Sequence, residues 1–80
     1  MKTISVQYFA VLKDLTGISE EIVKTSSLIA SDLFKEICAR YQLSMPLGQL
    51  RVAVNDDFCE WDTLLKDGDK VVFIPPVSGG

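Results

Sequence analysis

The residues of this chain best placed to do chemistry stand at its end, where Pro75-Pro76-Val77-Ser78-Gly79-Gly80 follows the apolar run Lys70-Val71-Val72-Phe73-Ile74. The reactive group there is the α-carboxylate of Gly80. Its ordinary pKa is roughly 3.5, so at neutral pH it is an anion and a poor electrophile until something activates it, for example as a mixed anhydride with a nucleotide. Gly79 and Gly80 make a tip without side-chain bulk, and the six residues from 75 to 80 reach at most roughly 20 Å when extended. Proline cannot donate to a sheet ladder and pushes the residue before it into extended geometry, so the last strand ends near Ile74. The chain therefore divides into a folded domain over 1–74 and a flexible Gly-Gly arm over 75–80. An inert tail shares this appearance, but Val77 between the prolines and glycines is less polar than a loose linker. No Gly-rich phosphate loop is present to bind a nucleotide. Activation falls to another protein, which makes this chain a carrier rather than a catalyst.

Other candidates for chemistry are weaker. Asp56-Asp57 and Asp67-Gly68-Asp69 look like general acid/base pairs or calcium ligands, but both sit in turn sequences where Asp bonds the local backbone. An EF-hand would need spaced oxygen ligands and a terminal Glu. Cys38 and Cys59 lack C-x-x-C spacing and are too few for a disulfide framework or an iron–sulfur cluster. Cys38 follows Phe34 by four residues on an apolar helical face and reads as core; Cys59 falls in a short strand, and its role stays open. The chain has no histidine. That removes Ser-His and Cys-His nucleophile pairs and His-based zinc sites. No cofactor is expected on the chain itself.

Bulk properties limit the partners. With 80 residues there is room for one small core and not for a deep enclosed active site. Eight Lys/Arg against eleven Asp/Glu give a net charge of −3. The basic residues are scattered, so the stripe that nucleic-acid binding requires is missing. No apolar run approaches the ~20 residues of a membrane span. Met1-Lys2 leads into an alternating strand and not into a signal-peptide core, so a cytoplasmic protein is expected.

The elements that must position the arm follow from periodicity. Ile4, Val6 and Tyr8 alternate with Thr3, Ser5 and Gln7 in a half-buried strand. A short helical or turn-like stretch over 10–15 closes at Thr16-Gly17. A second strand is expected over 18–25, with Ile18, Ile22 and perhaps Glu20 sharing a face. Ser27 or Ser31 is suited to cap the main helix over 30–42, which carries Leu33, Phe34, Ile37, Cys38 and Tyr41 on one side. Glu36 and Arg40 form an i,i+4 pair on the other. A loop over 43–49 precedes a strand over 50–54, a turn at Asn55-Asp56-Asp57, a short strand over 58–61, and the last strand over 70–74. One amphipathic helix and a handful of strands can bury the helix stripe only against one face of a mixed sheet, an α+β, β-grasp (ubiquitin-like) arrangement. Its first and last strands run parallel, joined through the helix. If Val71 and Phe73 enter the core, Val72 and Ile74 face outward, and Phe9, out of step with Ile4, Val6 and Tyr8, emerges near Ile74. These three form an expected docking patch beside the arm.

Tyr8-Phe9-Ala10, the Asp67-Gly68-Asp69 turn and the ending Phe73-Ile74-Pro75-Pro76-Val77-Ser78-Gly79-Gly80 together resemble the molybdopterin synthase small-subunit family of ubiquitin-like sulfur carriers. The resemblance implies that an ATP-dependent activating enzyme (adenylyltransferase) adenylates Gly80, which then becomes a thiocarboxylate. It implies that the arm inserts into the large synthase subunit and gives its sulfur to cyclic pyranopterin monophosphate during molybdenum cofactor biosynthesis, in a heterotetramer. Gly79 would keep the tip slender, Pro75, Pro76, Val77 and Ser78 would line the entry channel, and Ile74 would anchor the arm's base. A thiamin-type sulfur carrier and a ubiquitin-like protein modifier share the Gly-Gly ending and remain the alternatives.

Overall fold

The computed structural model describes residues 1–75. Strand β1 (Lys2–Tyr8) forms where the alternation is clearest, and Ile4, Val6 and Tyr8 are buried. Helix α1 (Val11–Thr16) ends at Gly17, whose φ of 81° is left-handed and whose N–H donates to the Lys13 carbonyl. A residue with a Cβ disfavours that geometry. Strand β2 (Glu20–Thr25) returns antiparallel to β1, pairing Ile4 with Val23 and Lys2 with Thr25.

The strand starts at Glu20 and not at Ile18, and Glu20 and Ile22 share a face as expected, the outer one. Val23 and Thr25 point into the core, whereas Ile22 is 64% exposed on the opposite side. Ile18 precedes the strand and only packs against the core margin. Two adjacent β-branched residues, Ile22-Val23, fit either face, so pairing with β1 decides between them.

Helix α2 (Ala30–Tyr41) buries Ala30, Leu33, Phe34 and Ile37. Its N-cap is Ile29 without a side-chain cap, not Ser27 or Ser31. The orphan amides at this end are met by backbone instead: the Ala30 and Ser31 N–H groups donate to the Thr63 and Trp61 carbonyls at 3.1 and 2.9 Å. Ser27 turns its hydroxyl to Glu36, which also accepts from Thr25. A 3-10 turn (Leu47–Gln49) then leads into β3 (Arg51–Val54), β4 (Asp57–Cys59) and β5 (Lys70–Ile74). Asn55 and Asp56 have φ of 52° and 74°, a two-residue left-handed hairpin turn, so Asp57 already belongs to β4.

The sheet order is β2-β1-β5-β3-β4, with β1 and β5 parallel at its centre. This is the expected β-grasp arrangement, a mixed sheet of five strands with α2 across one face. Tyr8, Phe73 and Val52 form a cross-strand row on the helix side, and the Phe34 and Phe73 rings meet edge-on at 4.9 Å between centroids. Each such fully buried apolar side chain contributes roughly 1.5–3 kcal/mol. The core therefore lies between α2 and the central strands, and the other face of the sheet is left for contact.

Candidate docking face at the end of the last strand

The parallel β1–β5 pair sets the geometry of the outer face. Tyr8 stands opposite Phe73 and Gln7 opposite Val72, so the next residues, Phe9 and Ile74, leave their strands side by side. Arg51 stands opposite Ile74 on β3, and Ala53 stands between Val72 and Phe58. The outer surface thus holds two short rows, Phe9-Ile74-Arg51 and Gln7-Val72-Ala53-Phe58. Phe9 is 50% and Phe58 63% exposed, a large apolar area for so small a domain.

The expected residues are not equally available. Val72 faces outward as its alternation requires, yet it is only 7% exposed, because β5 is central and Gln7 and Ala53 flank it on both sides. It is the floor of the patch and not its contact surface. Ile74 is half-buried, and Pro75, expected as the first residue of the arm, is buried. Ile74 and Pro75 line a hollow of about 410 Å³ with Arg51 and Phe58. Residues Pro76, Val77, Ser78, Gly79 and Gly80 lie outside the described residues.

Phe58 was not among the sequence candidates. The available signal was its alternation with Cys59 directly after a two-residue turn, which sends one of the two outward. The structure sends out the aromatic ring. Cys59 packs at the core margin with its Sγ 3.8 Å from the Val52 carbonyl. Arg51 lies over the Phe58 ring, its Cζ 5.6 Å from the centroid.

The remaining candidates resolve as structural. Asp67 accepts from the Thr3 N–H at 2.6 Å and the Gly68 N–H donates to the Thr3 carbonyl at 2.8 Å, so this turn clamps the start of β1. Buried Asp69 accepts from the Lys66 N–H and from Asn55 Nδ2, at 2.8 and 3.0 Å. Asp56 pairs with Lys70 at 2.9 Å. No group of three or more potential metal ligands gathers among the described residues. Cys38 lines a separate hollow of about 480 Å³ at the end of α2, with Leu43 and Met45 among its walls. Burial pushes its thiol pKa up, which makes it a poor nucleophile at neutral pH. No helix among the described residues is long and apolar enough to cross a membrane.

The ThiS family pattern matches residues 6–80. The chain belongs to the ThiS family. Among curated ThiS relatives, it is 35% identical over 80 residues to the molybdopterin synthase sulfur carrier subunit of Escherichia coli strain K12, covering 96% of this chain and 99% of that one. The human molybdopterin synthase sulfur carrier subunit is 34% identical over 82 residues, covering 96% and 93%. A solved complex of subunits 1 and 2 of the molybdopterin-converting factor from Helicobacter pylori contains a similar chain. That chain aligns with a TM-score of 0.68 at 28% identity, covering 98% of this chain and 99% of its own.

Proposed function

We propose that this ThiS-family chain is the sulfur carrier subunit of molybdopterin synthase. The observation that carries the reading is the parallel β1–β5 pair, which sets Phe9, Ile74 and Pro75 beside one another at the point where the chain passes toward Gly79-Gly80. Near full-length similarity to curated sulfur carrier subunits supports the cargo. The Helicobacter complex supports a large-subunit partner.

In this mechanism the Gly80 carboxylate attacks the α-phosphorus of ATP held by an activating enzyme, forming the glycyl adenylate and releasing pyrophosphate. Sulfide-level sulfur supplied by the activating partner then attacks the acyl carbon, the bond to the phosphate breaks, and AMP departs to leave a thiocarboxylate at Gly80. The outer face of the sheet docks on the large subunit, with Phe9, Phe58 and Ile74 as apolar contacts over the floor made by Val72. Pro75 fixes the direction in which Pro76, Val77, Ser78 and Gly79 enter the partner's channel. There the thiocarboxylate sulfur bonds to a carbon of cyclic pyranopterin monophosphate in place of an oxygen substituent, and water hydrolyses the resulting thioester, leaving the sulfur on the pterin and returning Gly80 as a carboxylate. The chain contributes position and a carboxyl group; ATP belongs to the activating partner, and no cofactor is assigned to the carrier.

Intact-protein mass spectrometry after co-expression with the activating enzyme tests this reading. A C-terminal mass shift equal to sulfur replacing oxygen is expected. Its absence, or covalent adducts to other proteins in place of it, overturns the carrier assignment. Deleting Gly80 or adding a residue after it is expected to abolish molybdoenzyme activity in cells that hold no other copy.

A further inference from the structure

Resting on the carrier reading, we propose that Arg51 is a specificity-determining contact of the docking face, which receives a carboxylate from the large synthase subunit. Arg51 stands in the row with Phe9 and Ile74, at the mouth of the hollow formed with Phe58 and Pro75. Its guanidinium lies over the Phe58 ring, with Cζ 5.6 Å from the centroid. Among the described residues it makes no ion pair, whereas Arg40 is paired with Glu21 and Glu36, and Lys70 with Asp56. Glu60 follows β4 on the neighbouring strand and does not engage it.

Three physical arguments lead from this placement to an acidic partner. A surface that covers Phe58, Ile74 and Phe9 also strips water from the guanidinium between them, and a desolvated charge without a partner is strongly unfavourable. The group that best offsets the loss is a carboxylate, which takes two parallel N–H bonds from the planar fork. The Phe58 ring, 5.6 Å from the Arg51 Cζ, already favours a guanidinium position on the outer face, so less side-chain freedom is lost on docking. In a chain of net charge −3, Arg51 is also a local positive point within an apolar patch. A partner with a neutral or basic residue at that point is rejected, which gives the face selectivity that apolar area alone lacks.

The test is calorimetric titration of the full chain with the large synthase subunit of the same organism at low and moderate salt, with Arg51→Leu, Arg51→Glu and Ile74→Asp. Arg51 is exposed, and thermal melts confirm that each variant is folded. The expected result is about tenfold weaker binding by Arg51→Leu, roughly 1.4 kcal/mol, with a loss of the salt dependence shown by the parent chain. Arg51→Glu is expected to bind more weakly still and to recover when one acidic residue on the large subunit is changed to Arg. If Ile74→Asp weakens binding while both Arg51 variants match the parent in affinity and salt dependence, the Arg51 assignment is overturned and the docking face stands. If the parent chain does not bind, or Ile74→Asp has no effect, the docking reading falls and the Arg51 assignment with it.

Discussion

Tyr8 and Phe73 face each other across the only parallel strand pair among the described residues, and both rings are buried. In parallel strands the residues that follow such a pair emerge at the same end of the sheet. One buried pair on the helix side therefore places Phe9 and Ile74 together on the other side, at the end of β5.

From that relationship, Phe9→Ala is expected to weaken binding to the large subunit by at least tenfold, the usual cost of truncating a central aromatic contact. Phe9 is half exposed, so its removal should change folding stability by less than about 1 kcal/mol. Titration of the variant beside a thermal melt checks both parts. Equal losses in affinity and stability would assign Phe9 to the fold and not to docking.

Much of this architecture was legible because its signals are local. The alternation of Ile4, Val6 and Tyr8 and the helical stripe of Leu33, Phe34 and Ile37 each fix a buried face without reference to the rest of the chain. The parallel pairing of β1 and β5 then followed from the order of the elements. Where the reading went wrong, a neighbouring element decided the outcome. Which of Ile22 and Val23 enters the core is settled by the β1 register, and Val72 is covered because β5 is central. The α2 amides are met by Trp61 and Thr63 carbonyls some thirty residues away, a contact that hydroxyl-bearing Ser27 and Ser31 conceal in the sequence. Pro75 reads as the start of an arm because proline ends a strand, yet it is buried and lines the same hollow as Arg51 and Phe58. Phe58 escaped notice because a three-residue strand has too little alternation to declare its face.

Glu21 joins three elements through contacts that no local pattern announces. Its Oε2 accepts from the Tyr8 and Tyr41 hydroxyls at 2.6 and 2.7 Å, while Oε1 lies 3.4 Å from Arg40. Burial, followed by the hydrogen bond to Glu21, raises the pKa of both phenols, Tyr8 far beyond the ordinary tyrosine range. In the unfolded chain the same phenols ionise near pH 10. Above that pH the unfolded state holds fewer protons than the folded state, so stability must fall as pH rises; below it, the contribution is fully present. Chemical denaturation between pH 8 and about 11 is expected to show this decline. Tyr8→Phe should lower stability at neutral pH by about 1.5–3 kcal/mol, as the loss of a hydrogen bond to a charged group, and flatten the alkaline decline. An unchanged alkaline slope in Tyr8→Phe would remove Tyr8 as its source.

Asp69 ties the hairpin turn to the start of β5, in keeping with its place in a turn sequence and not with a catalytic or calcium-binding pair with Asp67. Its two carboxylate oxygens accept from Asn55 Nδ2 and the Lys66 N–H, and Asn55 Oδ1 in turn accepts from the Lys70 N–H at 3.0 Å. Asp69→Ala leaves these donors without their acceptor in a largely buried place, at a cost of about 1–3 kcal/mol. Asp69→Asn restores one acceptor oxygen and is expected to recover part of that loss. Denaturant titration should show the midpoint falling in the order parent, Asn, Ala, with the slope unchanged. Because Asp69 lies at the opposite end of β5 from Ile74, the folded fraction of either variant should bind the large subunit with parental affinity. Calcium should leave the parent's midpoint where it is, since the carboxylate is already engaged by the protein's own amides; a stabilising shift with added calcium would instead make Asp69 a metal ligand.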